Sequence, residues 1–165
     1  MSVSRIVFVA LLVLSVTQAG VYFPQLPDPM ASHFDGSGRP NGWSSRASFF
    51  GIMLGMNALM AFVFLFAPFF NHRATRRAMS IPNREYWLAP ERYADTLMFI
   101  KTRMVWMGVA TLVLMVGITQ MAIAANLGSS GTLTSKVGWL LAAYFVFVAG
   151  WLVHFVGTFL RVTDK

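Results

Sequence analysis

The sequence predicts an all-α integral membrane protein: a four-transmembrane-helix bundle with an extracytoplasmic loop and a cytoplasmic amphipathic helix. Composition is the first reason. Apolar residues make up 56% of the 165 positions and charged residues only 12%, far from the globular mix of about half apolar and a quarter charged. The second reason is four stretches, about 6–23, 47–70, 104–125 and 137–160, that contain no Asp, Glu, Lys or Arg. Each is close to the roughly 20 residues that cross a bilayer. The chain 1–165 therefore reads as a single membrane domain, with an outer loop at 24–46, a cytoplasmic loop at 71–103 and a short Gly/Ser/Thr-rich turn at 126–136.

The third reason is the distribution of charge. The net charge of +7 does not point to nucleic acid, because the basic residues cluster at span ends. Arg5, Arg161 and Lys165 flank the termini, and Arg73, Arg76, Arg77, Arg84, Arg92, Lys101 and Arg103 fill the central loop. The other two loops hold only Arg39, Arg46 and Lys136. The positive-inside bias then places both termini in the cytoplasm and loop 24–46 outside. This is the pattern expected of a multi-pass membrane protein. Trp43, Trp87, Trp106, Trp139 and Tyr22 fall near span ends, where amphipathic rings favour the interface. Trp151 does not, and is expected to pack inside the bundle.

Span one resembles a signal peptide in its first part, with Arg5, an apolar run and Thr17-Gln18-Ala19. The apolar stretch continues through Val21, Tyr22 and Phe23, past the usual cleavage point. An uncleaved span is the expectation. With no cysteine in the chain, disulfides and thiolate chemistry are excluded.

Loop 24–46 carries Pro24, Pro27 and Pro29, then Asp35-Gly36, Gly38 and Asn41-Gly42. Prolines end the helix and the glycine steps supply turns, so the loop is expected to fold back, with Met30, Phe34 and Trp43 pressed onto the membrane surface. Ser44 or Ser45 is placed to cap the next helix, and Arg46 sits poorly at its positive end. His33, Asp35 and Asp28 raise the idea of a metal or proton-responsive site. One His and two carboxylates fall short of a zinc set, so no metal and no cofactor is expected. The recognition candidates are His33, Phe34, Asp35, Arg39 and Trp43.

Leu26-Pro27, His33-Phe34-Asp35, Gly38-Arg39-Pro40 and Gly42-Trp43 closely resemble the pattern of a bacterial membrane family, domain of unknown function 1648. That domain also forms the N-terminal part of SdpI-like immunity proteins. The resemblance covers about the first 70 residues. Asn83, Tyr86-Trp87 and Ala89-Pro90-Glu91 resemble a segment of longer members. It implies an SdpI-like membrane protein without establishing an activity.

In the inner loop, Pro90 and Glu91 suit the first turn of a helix. Tyr93, Leu97, Ile100 and Met104 recur at helical spacing, predicting an interfacial amphipathic helix that runs into span three. Asn83, Tyr86, Trp87 and Glu91 are the candidates for docking a membrane or cytoplasmic partner; packing of the stripe on the bundle is the alternative. His72-Arg73 and Arg76-Arg77 read as topology and anionic-lipid contacts.

Within the spans, Asn57, Gln120 and His154 stand out, with Gln18, as interhelical hydrogen-bonding groups. Ser48, Gly51 and Gly55 put small residues on one face of span two, allowing close helix approach in the monomer or in a homo-oligomer. No charged pair in the spans supports transport. No nucleophile elbow, phosphate-binding glycine loop or His-rich cluster supports an enzyme. The function expected is therefore non-enzymatic: ligand binding or sensing through the outer loop, and partner contact through the inner one. The alternative is an accessory subunit stabilising a larger membrane complex.

Overall fold

A computed structural model describes residues 2–66, 79–128 and 131–162. The order is α1 (Val3–Tyr22), β1 (Met30–Phe34), β2 (Pro40–Ser44), α2 (Arg46–Ala61), α3 (Arg84–Trp87), α4 (Tyr93–Leu127) and α5 (Lys136–Leu160). A π-helical turn, Phe62–Phe66, continues α2. The four long helices have the length and composition to cross a membrane. The basic pair Arg76-Arg77, with His72 and Arg73, lies outside the described residues.

Helices α1, α2 and α4 pack together around two apolar clusters. One joins Phe8 to Val105, Val109 and Leu112. The other joins Ala19 and Leu26 to Met30, Phe49, Phe50 and Ile123. In lipid there is no hydrophobic force between helices, so close packing and hydrogen bonds hold them. Gly108 provides the closest approach: a Cβ there would stand 2.6 Å from the Phe8 ring and 2.7 Å from that of Phe64. The small-residue face of span two does not play this part inside the monomer, since Gly51 and Gly55 have nothing within 4 Å of a built Cβ.

Helix α5 packs chiefly on α4. Tyr144 Oη lies 3.1 Å from Thr111 Oγ1, and Trp151 Nε1 donates to the carbonyl of Arg103 at 3.2 Å. Trp151 stacks on Phe155 at 4.8 Å, so it packs between α5 and α4 as expected. The rest of α5, including Trp139, Phe145, Val146 and Val153, is exposed and has the composition of a lipid-facing surface.

The expected amphipathic segment and span three are one unbroken helix of 35 residues, about 52 Å long at 1.5 Å per residue. That exceeds a hydrocarbon core of about 30 Å. The segment is thus continuous with the span, as its helical stripe predicted. On its stripe Leu97 is buried and Tyr93, Ile100 and Met104 are half-buried, while Phe99 beside them stacks on Phe155 of α5 at 6.3 Å.

Candidate functional site

The loop after α1 forms an antiparallel hairpin, pairing Met30 with Ser44, Ala31 with Trp43, His33 with Gly42 and Phe34 with Pro40. Pro40 opens its strand, the position where a missing N–H is tolerated. Gly42 is required by closeness, because a Cβ would come within 2.9 Å of His33 Cβ. At the turn, the Asp35 carboxylate accepts from Ser37 N at 2.8 Å, Ser37 Oγ at 2.7 Å and Arg39 N at 3.0 Å. These bonds, the Ser37 hydroxyl foremost and then the Arg39 amide, hold the carboxyl below its usual range. They favour the charged form directly.

The hairpin leans on helices and not on the membrane surface. Met30 is fully buried and Phe34 packs against the same cluster, because two apolar side chains on one face find Phe49 and Ile123 beneath them. Trp43 alone of the three expected contacts is exposed, at 60%. Two residues distant in sequence brace the hairpin. At its base Asn126 accepts from Ala31 N at 2.7 Å and donates to Ala31 O at 2.8 Å. At its tip the amide of Leu133 donates to Gly38 O at 2.8 Å. Gly38 has φ +82, and a Cβ would meet Leu133 O at 2.6 Å, so glycine is needed twice over. Between the turn and the start of α5 lies a cavity of ≈ 550 Å³ reached by Phe34, Asp35, Ser37, Thr134 and Ser135.

Of the recognition candidates, Phe34 and Asp35 line this cavity. His33 Nδ1 lies 2.7 Å from Asn41 Oδ1. As the amide oxygen only accepts, Nδ1 is the donor. His33 and Trp43 are both exposed, as is Arg39. No group of three His, Cys, Asp or Glu among the described residues is placed to hold a metal. Asn126 and Leu133 were not singled out from sequence.

Arg46, which looked misplaced at a helix N-terminus, reaches back to the end of α1. Its guanidinium donates to the carbonyls of Phe23 at 3.1 Å and Leu26 at 3.3 Å, and lies 3.6 Å from Asp28. Orphan carbonyls and the negative helix end favour a cation there. Ser45 caps α2, accepting from Ser48 N at 3.1 Å.

At the opposite end, the partner candidates divide. Asn83, at φ 50, donates from Nδ2 to Phe159 O at 3.0 Å and Leu160 O at 3.3 Å. Trp87 Nε1 donates to the same Phe159 carbonyl at 3.1 Å. Both are thus occupied with the last turn of α5. Tyr86 lies under the Arg92 guanidinium at 4.0 Å, and Glu91 is exposed beside Arg92.

Within the spans, Gln18 Nε2 donates to Gln120 Oε1 at 2.8 Å, and Gln120 Nε2 to Tyr22 Oη at 3.4 Å. This joins α1 to α4 as interhelical hydrogen bonding predicts. Asn57 is different: it is buried and its Oδ1 has no partner. His154 is exposed on α5.

These features define a multi-pass helical membrane protein with a braced hairpin at one end. Residues 7–57 match the model of the family described as Domain of unknown function (DUF1648). The match takes in most of α1, the hairpin and the first part of α2. No curated protein and no solved structure matches the chain.

Proposed function

We propose that this is a non-enzymatic bacterial inner-membrane protein of the SdpI-like type that binds or senses a ligand through the hairpin 30–44. The observation that carries this reading is the bracing of the hairpin by Asn126 and Leu133 over a cavity of ≈ 550 Å³. A loop that only joined two spans has no need of two long-range anchors and a preformed recess. The ten basic residues at the termini and central loop, against three elsewhere, support cytoplasmic termini and an outward hairpin. At the inner end Glu91 is exposed and Tyr86 is half-buried against Arg92 and Trp87, and Glu91 is the more open of the two to a partner. The test is complementation of a deletion strain challenged with envelope stresses and secreted peptides. Replacing His33, Asp35, Arg39 and Trp43 with alanine should abolish rescue while protein still accumulates in the membrane. Full rescue would remove the hairpin from the function.

A second reading, an accessory subunit of a larger complex, is favoured by α5, which packs chiefly on α4 and leaves much of its apolar surface exposed. A stoichiometric integral-membrane partner recovered in mild detergent would support it.

A further inference from the structure

At the end of the bundle away from the hairpin, α3 and the first turns of α4 meet the last turn of α5 around a cavity of ≈ 360 Å³. Trp87, Phe99 and Phe159 give it an aromatic lining. The rings of Trp87 and Phe99 each stand at 80° to that of Phe159, with centroids 5.4 and 5.9 Å from it. Two rings set square to a shared third make the beginnings of a cage, and the shared ring is buried. Aromatic cages attract cations through the negative faces of their rings.

The polar groups of the lining narrow the choice of ligand. The neutral donors are already used. Trp87 Nε1 donates to Phe159 O at 3.1 Å, Thr96 Oγ1 to Trp87 O at 2.8 Å and Thr158 Oγ1 to His154 O at 2.8 Å. Arg92 also lines the cavity, but its guanidinium is met by Glu91 at 3.5 Å and by the Tyr86 ring at 4.0 Å. Asp95 is the exception. Among the described residues its carboxylate has no hydrogen bond and no ion pair, with Arg92 or any other group. The cavity thus combines an unmatched negative charge with a set of aromatic rings.

Position selects the source of the cation. The charge-free stretch of α5 ends at Leu160 and that of α4 begins at Met104. Phe99, Thr158 and Phe159 therefore stand where hydrocarbon gives way to headgroups. Asp95 lies about one turn of α4 further out than Phe99.

We infer that this cavity binds the primary ammonium group of a phosphatidylethanolamine headgroup. The rings supply cation–π attraction, and Asp95 accepts from the ammonium N–H groups in charge-assisted hydrogen bonds. A choline headgroup keeps the charge but has no N–H to give the carboxylate. Phosphatidylglycerol brings only negative charge. The site is independent of the hairpin and of any ligand bound there.

The test uses the full chain in an uncharged mild detergent, with phosphatidylethanolamine, phosphatidylcholine, phosphatidylglycerol, free ethanolamine and Nα-acetyl-lysine amide as separate additions. Native mass spectrometry reads bound lipid, and thermal unfolding reads stabilisation. Phosphatidylethanolamine should bind and stabilise most, and phosphatidylglycerol least. Asp95→Asn should weaken phosphatidylethanolamine binding about fivefold, the upper end for an exposed ion pair, and leave phosphatidylglycerol unchanged. Asp95→Glu, which keeps the charge, should retain the preference. Equal binding of phosphatidylethanolamine and phosphatidylglycerol by the unaltered protein would overturn the site, and that comparison does not depend on any variant folding. Undiminished phosphatidylethanolamine binding by Asp95→Asn would overturn it too. Phosphatidylcholine bound as well as phosphatidylethanolamine would overturn the primary-ammonium assignment. Stabilisation by free ethanolamine, or by the lysine amide standing in for a protein side chain, with no lipid preference would overturn the lipid assignment.

Discussion

The side-chain amide of Asn126 pairs with both main-chain polar groups of Ala31, accepting from N at 2.7 Å and donating to O at 2.8 Å. It does for β1 what a neighbouring strand would do, from the end of a helix 95 residues further along. A second bond from Nδ2 to Ala122 O, at 2.8 Å, holds the amide in place. The hairpin is thereby fixed to α4.

Removing that amide leaves the nearly buried Ala31 groups unpaired. Asn126→Leu should destabilise the hairpin by about 1–3 kcal/mol, the usual cost of an unsatisfied buried polar group. Limited proteolysis in mild detergent should show faster cleavage within 24–46, and Asn126→Asp, which keeps the acceptor alone, should fall between. Unchanged cleavage would mean the pairing contributes nothing.

The turn at Asp35 should respond to acid. Its folded pKa lies below the ordinary 3.8, so the stabilisation is complete above 3.8 and lost as pH falls through the lower folded value. Hydrogen exchange at the Ser37 and Arg39 amides should accelerate over that acid range. Asp35→Asn should flatten the dependence.

Asn83 and Trp87 share one acceptor, Phe159 O. Trp87→Phe keeps an aromatic ring against Phe159, now 5.4 Å from the indole, but loses the donor. Each single change should cost about 1 kcal/mol or less, because the remaining donor still serves the carbonyl, and the two together more than their sum, because only the double change leaves it unpaired. Hydrogen exchange in the last turn of α5 and unfolding temperatures of the set would report it.

Gly108→Ala should be poorly tolerated. The new Cβ meets the Phe8 and Phe64 rings well inside contact distance, and overpacking of this kind costs roughly 1–3 kcal/mol. Gly55→Ala, facing open space, should leave the unfolding temperature unchanged and serves as the comparison.

The four spans were legible because a bilayer imposes length and apolarity directly on the chain. The caps of α2 were legible for a similar reason: Ser45 acts on residues three positions away. The hairpin was read only as turns. Its strands are five residues each, and their pairing is bent between Ala31 and Phe34, which blurs the alternation that marks a strand. What braces it comes from Asn126 and Leu133, and nothing local to either residue announces that contact. Arg46 looked wrong by the dipole of its own helix, since its partners belong to the end of α1. The inward turn of Asn83 and Trp87 toward Phe159 is another meeting of distant segments. The continuity of α4 was legible, because the spacing of Tyr93, Leu97, Ile100 and Met104 carries the helix past Lys101 and Arg103 into span three.

The claim on which the account rests is that the hairpin faces away from the compartment holding the termini and the basic loop. The chain has no cysteine, so single cysteines can be read without background. Ser37→Cys at the hairpin tip and Ser80→Cys before α3 should be treated in intact cells with a membrane-impermeant maleimide. The account predicts labelling of Ser37→Cys in intact cells, and of Ser80→Cys only after the membrane is opened. The reverse pattern, or equal labelling of both in sealed cells, would contradict it.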